Sequence, residues 1–307
     1  MTATAERPRR RISRQARHQA ISGWLFALPF VVLFCVVFIA PIVISVSEGF
    51  HRDLPKGEGL FGGGELVRTW VGWKNFQEVA ANPAFWSGVG RVMLFGAFQI
   101  PIMIGAALFM ALLLDSHLVR RPGLWRLGYF LPFAIPGLVA AILWRFLYQP
   151  SLSPFAGILP VDFFSENVIL FSMANMTTWT YTGYNMLIFL AALQAIPGDL
   201  YEAARIDGAS GWQITTRIKI PLVRGAALLA VLLSIIGTIQ LFNEPAVLQH
   251  VATWMPADYT PMMMAYNTAY GSLTPSGAGP ASAVTILMAL VAGVLAFIYA
   301  MIQRRVD

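Results

Sequence analysis

The sequence is poor in the residues that most enzymes and metalloproteins use at their sites. It contains one cysteine, Cys35, in 307 residues, so no intrachain disulfide can form. Its four histidines are scattered, and no two of them have the spacing of a pair of metal ligands. Its three lysines, Lys56, Lys74 and Lys219, do not follow the glycine spacing of a phosphate-binding loop, which excludes ATP binding by that motif. We therefore predict no catalytic residue, no metal site and no cofactor held by this chain.

Charged residues of any kind are also scarce. Asp, Glu, Lys and Arg make up 12% of the chain, hydrophobic residues make up 57%, and the mean hydropathy is +0.64. This balance is typical of a polytopic membrane protein and would be unusual for a soluble domain. In such a protein the net charge of +6 reflects how Lys and Arg are divided between loops, so no nucleic-acid partner is predicted.

Six apolar stretches are each long enough to cross a bilayer as a helix. They are residues 24–46, 89–114, 127–147, 168–193, 226–247 and 281–301. We predict an all-α polytopic membrane protein in which residues 21–307 form one transmembrane domain. Pro132 and Pro136 fall inside the third stretch, where neighbouring helices are expected to satisfy the carbonyl groups that they free.

A polar loop, residues 194–224, separates the fourth and fifth stretches and is predicted to form two short helices joined by a tight turn. Pro197 suits a helix start, and Gly208 can take the left-handed conformation that closes a helix. Ser210 and Gln213 have the spacing of a capping box that opens a second helix. A proline at the far end of the loop, Pro221, is predicted to end that helix.

The distribution of basic residues predicts the orientation of the spans. The tail, residues 1–20, carries six arginines and is predicted to be a disordered cytoplasmic segment, with nucleic-acid or lipid binding as the alternative. Six spans place both termini and the polar loop on one side of the membrane. Fifteen Lys and Arg residues fall on that side and four on the other. Because cytoplasmic loops carry the excess of basic residues, both termini and the polar loop are predicted to be cytoplasmic.

The polar loop also contains Glu-Ala-Ala, three residues, Gly, nine residues, and then Ile-x-Leu-Pro, with Ile220 in place of the leucine. The pattern is formed by Glu202, Ala203, Ala204, Gly208 and residues 218–221. On these residues the chain resembles the permease subunits of binding-protein-dependent ABC importers, in which this segment is called the EAA loop. Residues 185–209 and 279–283 are similar to the carbohydrate-importer branch, and the six spans also fit, so the resemblance covers nearly the whole chain.

The resemblance implies an ABC type I importer permease fold and a place in the bacterial cytoplasmic (inner) membrane, in contact with membrane lipid. The implied role is half of a translocation pathway for a carbohydrate or a related polyol or sugar derivative. The implied partners are a second permease subunit, expected to be a different chain, two ATP-binding subunits that hold ATP and Mg, and an extracytoplasmic solute-binding protein. The chain itself would then not be an enzyme.

The resemblance further implies that the polar loop is the coupling helix seated in a cleft of the ATPase. Glu202 is the strongest candidate for a contact with a basic group there, and a favourable interaction with the helix dipole is the alternative. The implied coupling residues are Glu202, Ala203, Ala204, Asp207, Gly208, Ala209, Trp212 and Pro221.

Polar side chains in the fourth and fifth spans are candidates for the solute pathway, because polar groups at membrane depth usually face a cavity or another helix. Amides, carboxylates and aromatic faces are also the groups that bind sugars. Hydrogen bonding between helices is the alternative for each residue. The candidates are Asn175, Thr178, Tyr181, Tyr184, Asn185, Gln240, Asn243 and Glu244.

Two other functions fit a polytopic chain less well. A secondary transporter or channel would need charged relay residues in its spans and internal repeats, whereas the span interiors are nearly free of charge. The segment around Ser210 also resembles the nucleophile segment of rhomboid intramembrane proteases. That chemistry needs the serine at membrane depth and a histidine on a nearby helix, but Ser210 lies in the polar loop and no predicted span contains a histidine.

Overall fold

The computed structural model describes residues 14–56, 65–116, 119–154 and 161–306, most of which are helical. The chain divides into two compact units, residues 1–48 and 49–307. The described part of the first unit is helical throughout and leads into the second: α1 (Arg14–Phe34), a π-helical segment (Cys35–Ile39) and α2 (Ala40–Gly49).

The helix α1 begins inside the segment that was predicted to be a disordered tail. Residues 14–20 are helical, and the rest of the predicted tail, residues 1–13, lies outside the described residues. No proline or glycine occurs between Arg14 and Ser22, so nothing in the local sequence interrupts a helix that continues from the first span.

The second unit opens with an antiparallel hairpin that the all-α prediction missed. Strands β1 (His51–Lys56) and β2 (Glu65–Trp70) pair in a register that places His51 opposite Trp70. The sequence Leu-Val-Arg-Thr-Trp of β2 contains Val, Thr and Trp, which favour strands, so this segment carried a local signal for β2. The polar, glycine-rich composition of the surrounding loop hid this signal. Arg52 of β1 forms an ion pair of 2.5 Å with Glu78 of α3 (Lys74–Ala81), so the hairpin is fastened to the next helix.

The structure has between four and six candidate membrane-spanning segments, and the upper limit equals the predicted number. Among the described residues, four helical runs are long and apolar enough to cross a membrane, and two bent helix pairs bring the number to six if each pair is one span. The four are Ser22–Gly49, Pro83–Asp115, Arg224–Leu248 and Ala278–Met301. The bent pairs are Pro122–Ala134 with Gly137–Tyr148, and Ile169–Gln194 with Gly198–Ile206.

The third span is broken, which corrects the prediction of one continuous helix. Helix α5 (Pro122–Phe130) runs into a 3₁₀ turn (Leu131–Ala134), and α6 (Gly137–Tyr148) leaves at an angle of 97° to this first half. The break falls at Ile135, whose backbone is extended (φ −81°, ψ 130°). The ring of Pro136 disfavours the helical conformation of the residue before it, and Pro136 has no N–H to continue the helix.

The fifth span is also interrupted near its end, although it was predicted to be continuous. Helix α11 (Arg224–Ile239) stops, and α12 (Asn243–Leu248) starts after three residues of irregular backbone. Pro245 cannot donate a hydrogen bond to the carbonyl of Leu241, four residues back. That carbonyl accepts instead from the Thr260 hydroxyl at 3.0 Å, so the interruption leaves it satisfied.

The helices α4 (Pro83–Asp115) and α7 (Ile169–Gln194) form the centre of the second unit, with α11 beside them. Ala107 and Ala111 of α4 are fully buried, and their small side chains allow close approach of the neighbouring helices. They belong to a buried cluster of Ala107, Ala111, Leu114, Met186, Phe189, Leu190, Leu193, Val223 and Ala230. The helices α13 (Pro261–Ala269) and α14 (Ala278–Val306) pack against the other end of α4 and α11.

Candidate functional site

The polar loop forms two short helices joined by a tight turn, as its sequence predicts. Helix α8 (Gly198–Ile206) ends in a Schellman motif, in which Ala209 N–H donates to the Ala204 carbonyl at 2.9 Å and Gly208 N–H to the Arg205 carbonyl at 3.0 Å. Gly208 has φ +79°, a conformation that only glycine adopts without a steric cost. The turn that closes α8 is therefore fixed by this one residue.

The second helix of the polar loop opens with the predicted capping box. At the start of α9 (Gly211–Ile214), Gln213 N–H donates to Ser210 Oγ at 3.3 Å, and Ser210 N–H donates to Gln213 Oε1 at 2.7 Å. These two bonds satisfy N–H groups that a helix start leaves unpaired. The capping role accounts for Ser210 without a protease function.

Pro221 does not end the second helix, which corrects the prediction. The helical backbone continues from α9 through a π-helical segment (Thr215–Lys219) and α10 (Ile220–Leu222) before it breaks at Val223. Ile220 N–H donates to the carbonyl of Thr215, five residues back. Because a proline lacks an N–H and its ring crowds the carbonyl four residues back, this wider turn lets the helix pass Pro221.

The outer face of the polar loop combines charge with exposed apolar side chains. Ile206 is 86% exposed and Trp212 is 76% exposed. Of the predicted coupling residues, Ala204 and Ala209 are half-buried, and the others, Glu202, Ala203, Asp207, Gly208, Trp212 and Pro221, are exposed. A pocket of about 240 Å³ beside the turn is lined by Asp207, Gly208, Ala209, Gln213, Arg217 and Ile218. Large apolar side chains exposed beside charged groups are typical of surfaces that bind another protein.

A second candidate site is a cavity of about 470 Å³ between α4, α7, the 3₁₀ turn and the interrupted end of the fifth span. Six of the eight predicted pathway residues line it: Tyr181, Tyr184, Asn185, Gln240, Asn243 and Glu244. Gln240, Asn243 and Glu244 lie at the interruption after α11. Their i, i+3 and i+4 spacing would place them on one face of a straight helix, so the sequence alone predicts that they share a direction.

The other two predicted pathway residues do not line this cavity. Asn175 Nδ2 donates to the Tyr148 hydroxyl at 2.8 Å, so this amide joins α7 to α6 as the helix-bonding alternative describes. The Thr182 hydroxyl donates a hydrogen bond to the main-chain carbonyl of Thr178 at 2.5 Å, and this bond lies within α7.

Sequence reasoning missed the part of the cavity wall that α4 and the 3₁₀ turn contribute. Gln99 and Met103 of α4 line the cavity, and Met103 Sδ lies 3.3 Å from Gln99 Nε2 and 3.7 Å from Asn185 Nδ2. Phe133 of the turn stacks on Tyr184 with ring centroids 4.6 Å apart. Gln99 is an amide inside an apolar stretch, so the rule applied to the fourth and fifth spans would have found it.

The cavity wall has one acidic side chain and, among the described residues, no basic one. Among the described residues that line the cavity, Glu244 is the only charged side chain, and the polar remainder consists of amides and hydroxyl groups. Aromatic rings beside hydrogen-bonding groups can hold a small molecule that has both apolar faces and hydroxyl groups.

Comparison with known proteins identifies the family. Residues 103–307 match the sequence model of the binding-protein-dependent transport system inner membrane component. The lactose transport system permease protein LacF of Rhizobium radiobacter is 32% identical, over 74% of this chain and 76% of that protein. The arabinooligosaccharides transport system permease protein AraP of Bacillus subtilis is 30% identical, over 73% and 71%. The sn-glycerol-3-phosphate transport system permease protein UgpA of Brucella abortus is 30% identical, over 93% and 96%.

Solved structures share the fold. A chain of a bacterial alginate ABC transporter, in complex with an alginate pentasaccharide-bound periplasmic protein, superposes with a TM-score of 0.77 at 18% identity and covers 96% of this chain and 98% of its own. A chain of an amino acid ABC transporter superposes with a TM-score of 0.53 at 19% identity and covers 75% and 97%. This chain therefore belongs to the family of inner membrane components of binding-protein-dependent transport systems.

Proposed function

We propose that this chain is the permease subunit of an ATP-driven importer and forms half of the pathway for an uncharged carbohydrate or polyol. The observation that carries the proposal is the cavity within the spans, lined by aromatic rings, amides and one carboxylate. The relatives named for lactose and arabinooligosaccharides support a carbohydrate solute.

The cavity wall favours an uncharged solute over an anionic one. Relatives named for sn-glycerol-3-phosphate, and the transporter of the acidic polysaccharide alginate, handle anions. An anion is expected to meet basic side chains in its pathway, but the described cavity wall of this chain offers none and carries Glu244. Amides and phenolic groups hydrogen-bond neutral hydroxyl groups.

Substitutions of Glu244 test the pathway. We expect Glu244→Lys to reduce uptake about tenfold or more, because a cation that lacks a partner at membrane depth costs about 2.5–3.5 kcal/mol. Glu244→Gln keeps the size and one acceptor oxygen, and it should retain most of the uptake of a neutral sugar. The measurement is uptake by the reconstituted transporter of a sugar that stabilises its binding protein on heating. Equal uptake by wild type and Glu244→Lys would remove Glu244 from the pathway.

We infer that the energy source and the delivery of solute lie in other chains. ATP and Mg would be held by two separate ATP-binding subunits, since this sequence has no phosphate-binding loop. A second permease subunit, expected to be a different chain, would complete the cavity, and an extracytoplasmic binding protein would deliver the solute. The alginate transporter structure that contains a periplasmic protein supports this arrangement. The excess of basic residues supports cytoplasmic termini in a bacterial inner membrane.

In the proposed mechanism the polar loop is the coupling helix. Closure of two ATP-binding subunits on ATP displaces rigid bodies, and the spans then rock between conformations that open the cavity to one side at a time. A short helix transmits such a displacement only if its ends are fixed. The Schellman motif at Gly208 and the capping box at Ser210 fix the turn between the two helices of the loop.

The position of Glu202 supports a contact with the ATPase over a purely dipolar role. The acidic residue in the first turn of α8 is Asp199, whereas Glu202 is one turn further along and exposed. The interaction with a helix dipole falls off within the first turn. The dipole therefore accounts for Asp199 better than for Glu202.

Charge reversal at these two positions separates the roles. We expect Glu202→Lys to leave the protein inserted and assembled but to lower ATP-driven uptake about tenfold or more, because like charges facing each other across an interface cost several kcal/mol. Asp199→Lys makes the same reversal in the first turn and should lose only a dipole contribution of about 0.3–1 kcal/mol. The readout is uptake per amount of assembled complex. Equal losses in the two variants would contradict a specific contact at Glu202.

A further inference from the structure

An ion pair fastens the polar loop to the end of the central helix α4. Lys219 Nζ of the π-helical segment lies 2.5 Å from Asp115 Oδ2, the last residue of α4, across 104 positions of sequence. Each of the two side chains has a relative exposure of 16%. Lys219 occupies the unspecified position of the Ile-x-Leu-Pro pattern, so the motif gave no reason to single it out.

The electrostatics of α4 make Asp115 dependent on Lys219. The C-terminal end of a helix carries partial negative charge, so a carboxylate there is disfavoured unless a cation lies beside it. Lys219 supplies that cation at hydrogen-bonding distance. Since both groups are largely shielded from water, loss of either one leaves the other as a shielded charge without its partner.

Tyr201 of α8 joins the same cluster. Lys219 Nζ lies 5.2 Å from the centroid of the Tyr201 ring, in the range of a cation–π interaction. Burial of the phenol and the nearby Asp115 carboxylate both raise the pKa of Tyr201. Lys219 therefore contacts the first helix of the polar loop and the end of α4 at once.

The helix α4 connects this cluster with the cavity. Met103 and Gln99, which line the cavity, lie on the same helix as Asp115. The helix from Asp115 to Met103 contains no proline, and at 1.5 Å per residue it spans about 18 Å. A displacement applied at Asp115 would therefore reach the cavity wall through continuous helix, whereas the apolar contacts of Ala107 and Ala111 with the neighbouring helices are not directional.

We propose that the Lys219–Asp115 ion pair is a positioning link through which movement of the polar loop displaces α4 and the cavity wall that α4 carries. The inference rests on the proposed function, because the ATP-binding subunits supply the movement. Lys219 and Asp115 act here through α4, and neither side chain contacts the cavity.

Spin-label distances in the complete transporter test the link. In a Cys35→Ala background, one label pair at Asp199 and Phe109 reports the distance from the polar loop to α4, and a second pair at Phe109 and Leu138 reports α4 against α6. All three labelling positions are exposed. With ATP and vanadate, we expect the wild-type distance between the polar loop and α4 to stay constant and the distance between α4 and α6 to change. In Lys219→Met, the distribution of distances between the polar loop and α4 should broaden or change. The nucleotide-dependent change between α4 and α6 should be lost in this variant, while ATP hydrolysis continues.

Three further variants make the outcome decisive. Asp115→Asn should give the same distances as Lys219→Met. The exchanged pair Lys219→Asp/Asp115→Lys should recover part of the nucleotide-dependent change in the α4–α6 distance. A role of the ion pair limited to folding would not predict this recovery. Lys74→Met, a loss of the same charge at an exposed site on α3, should behave as wild type. Wild-type distances in Lys219→Met would overturn the link alone. Absence of ATP hydrolysis and of any nucleotide-dependent shift in wild type would overturn the proposed function instead.

Discussion

A Gly183→Ala variant is expected to fail to assemble into a stable transporter. Gly183 is buried on α7 where α5 crosses it, and a Cβ atom at this position would lie 1.8 Å from the carbonyl oxygen of Tyr129 and 3.0 Å from Cα of Phe130. Both contacts are with main-chain atoms, so no side-chain rotation can relieve them. The two helices would have to separate, at a cost at or above the upper end of the range of about 1–3 kcal/mol for overpacking.

The separation would also disturb the cavity, because Phe133 follows α5 directly and stacks on Tyr184 of α7. The measurement is the yield and thermal unfolding midpoint of the purified complex. The matched control is Gly293→Ala on α14, where a Cβ atom meets nothing within 4 Å, and it should leave the midpoint unchanged or slightly raised. A Gly183→Ala protein as stable as this control would show that α5 does not approach α7 as closely as the structure places it.

A Gly208→Val variant is expected to insert and assemble but to lose nearly all ATP-driven uptake. The turn between α8 and α9 needs φ +79° at this residue, and a β-branched side chain is strongly disfavoured there. Nothing lies within 4 Å of the position of its Cβ atom, so the penalty comes from the backbone and not from a clash. Strain of about 1–3 kcal/mol would be relieved by a different turn, and α9 would then leave α8 in another direction.

The comparison for this prediction lies three residues further along the same turn. Gly211 has no positive φ, and a Cβ atom there also meets nothing within 4 Å. Gly211→Val therefore adds the same side chain to the same exposed loop without forcing the backbone. We expect it to retain uptake, measured per amount of assembled complex. Equal loss in the two variants would mean that added bulk blocks the loop surface, and the geometric role assigned to Gly208 would then be wrong.

Most of the polar loop could be predicted from sequence because its conformation is set by neighbouring residues. The glycine turn at Gly208 and the capping box of Ser210 and Gln213 each depend on hydrogen bonds that span at most five residues. Pro221 shows where local reasoning failed. A proline usually ends a helix, but a single wide turn from Thr215 to Ile220 let this helix continue, and the sequence gives no separate signal for that turn.

The cavity could be predicted only in part. The rule that polar groups at membrane depth are functional selected Tyr181 and Asn175 alike, yet Tyr181 lines the cavity while Asn175 bonds to Tyr148. The difference lies on α6, whose direction follows from the bend at Pro136. The identity of the partner helix cannot be read from α7 itself, because the same face of a helix can meet either solvent or a neighbour.

The sequence by itself determined the apolar stretches, the place of the polar loop, its turn and its family, because apolar run length and short-range capping are properties of contiguous residues. Tertiary structure decided which polar side chains share the cavity, where the third and fifth spans bend, and that Lys219 meets Asp115 across 104 positions. These features depend on contacts between segments far apart in the chain. The geometry of such contacts follows from how the helices pack together, which no single segment encodes.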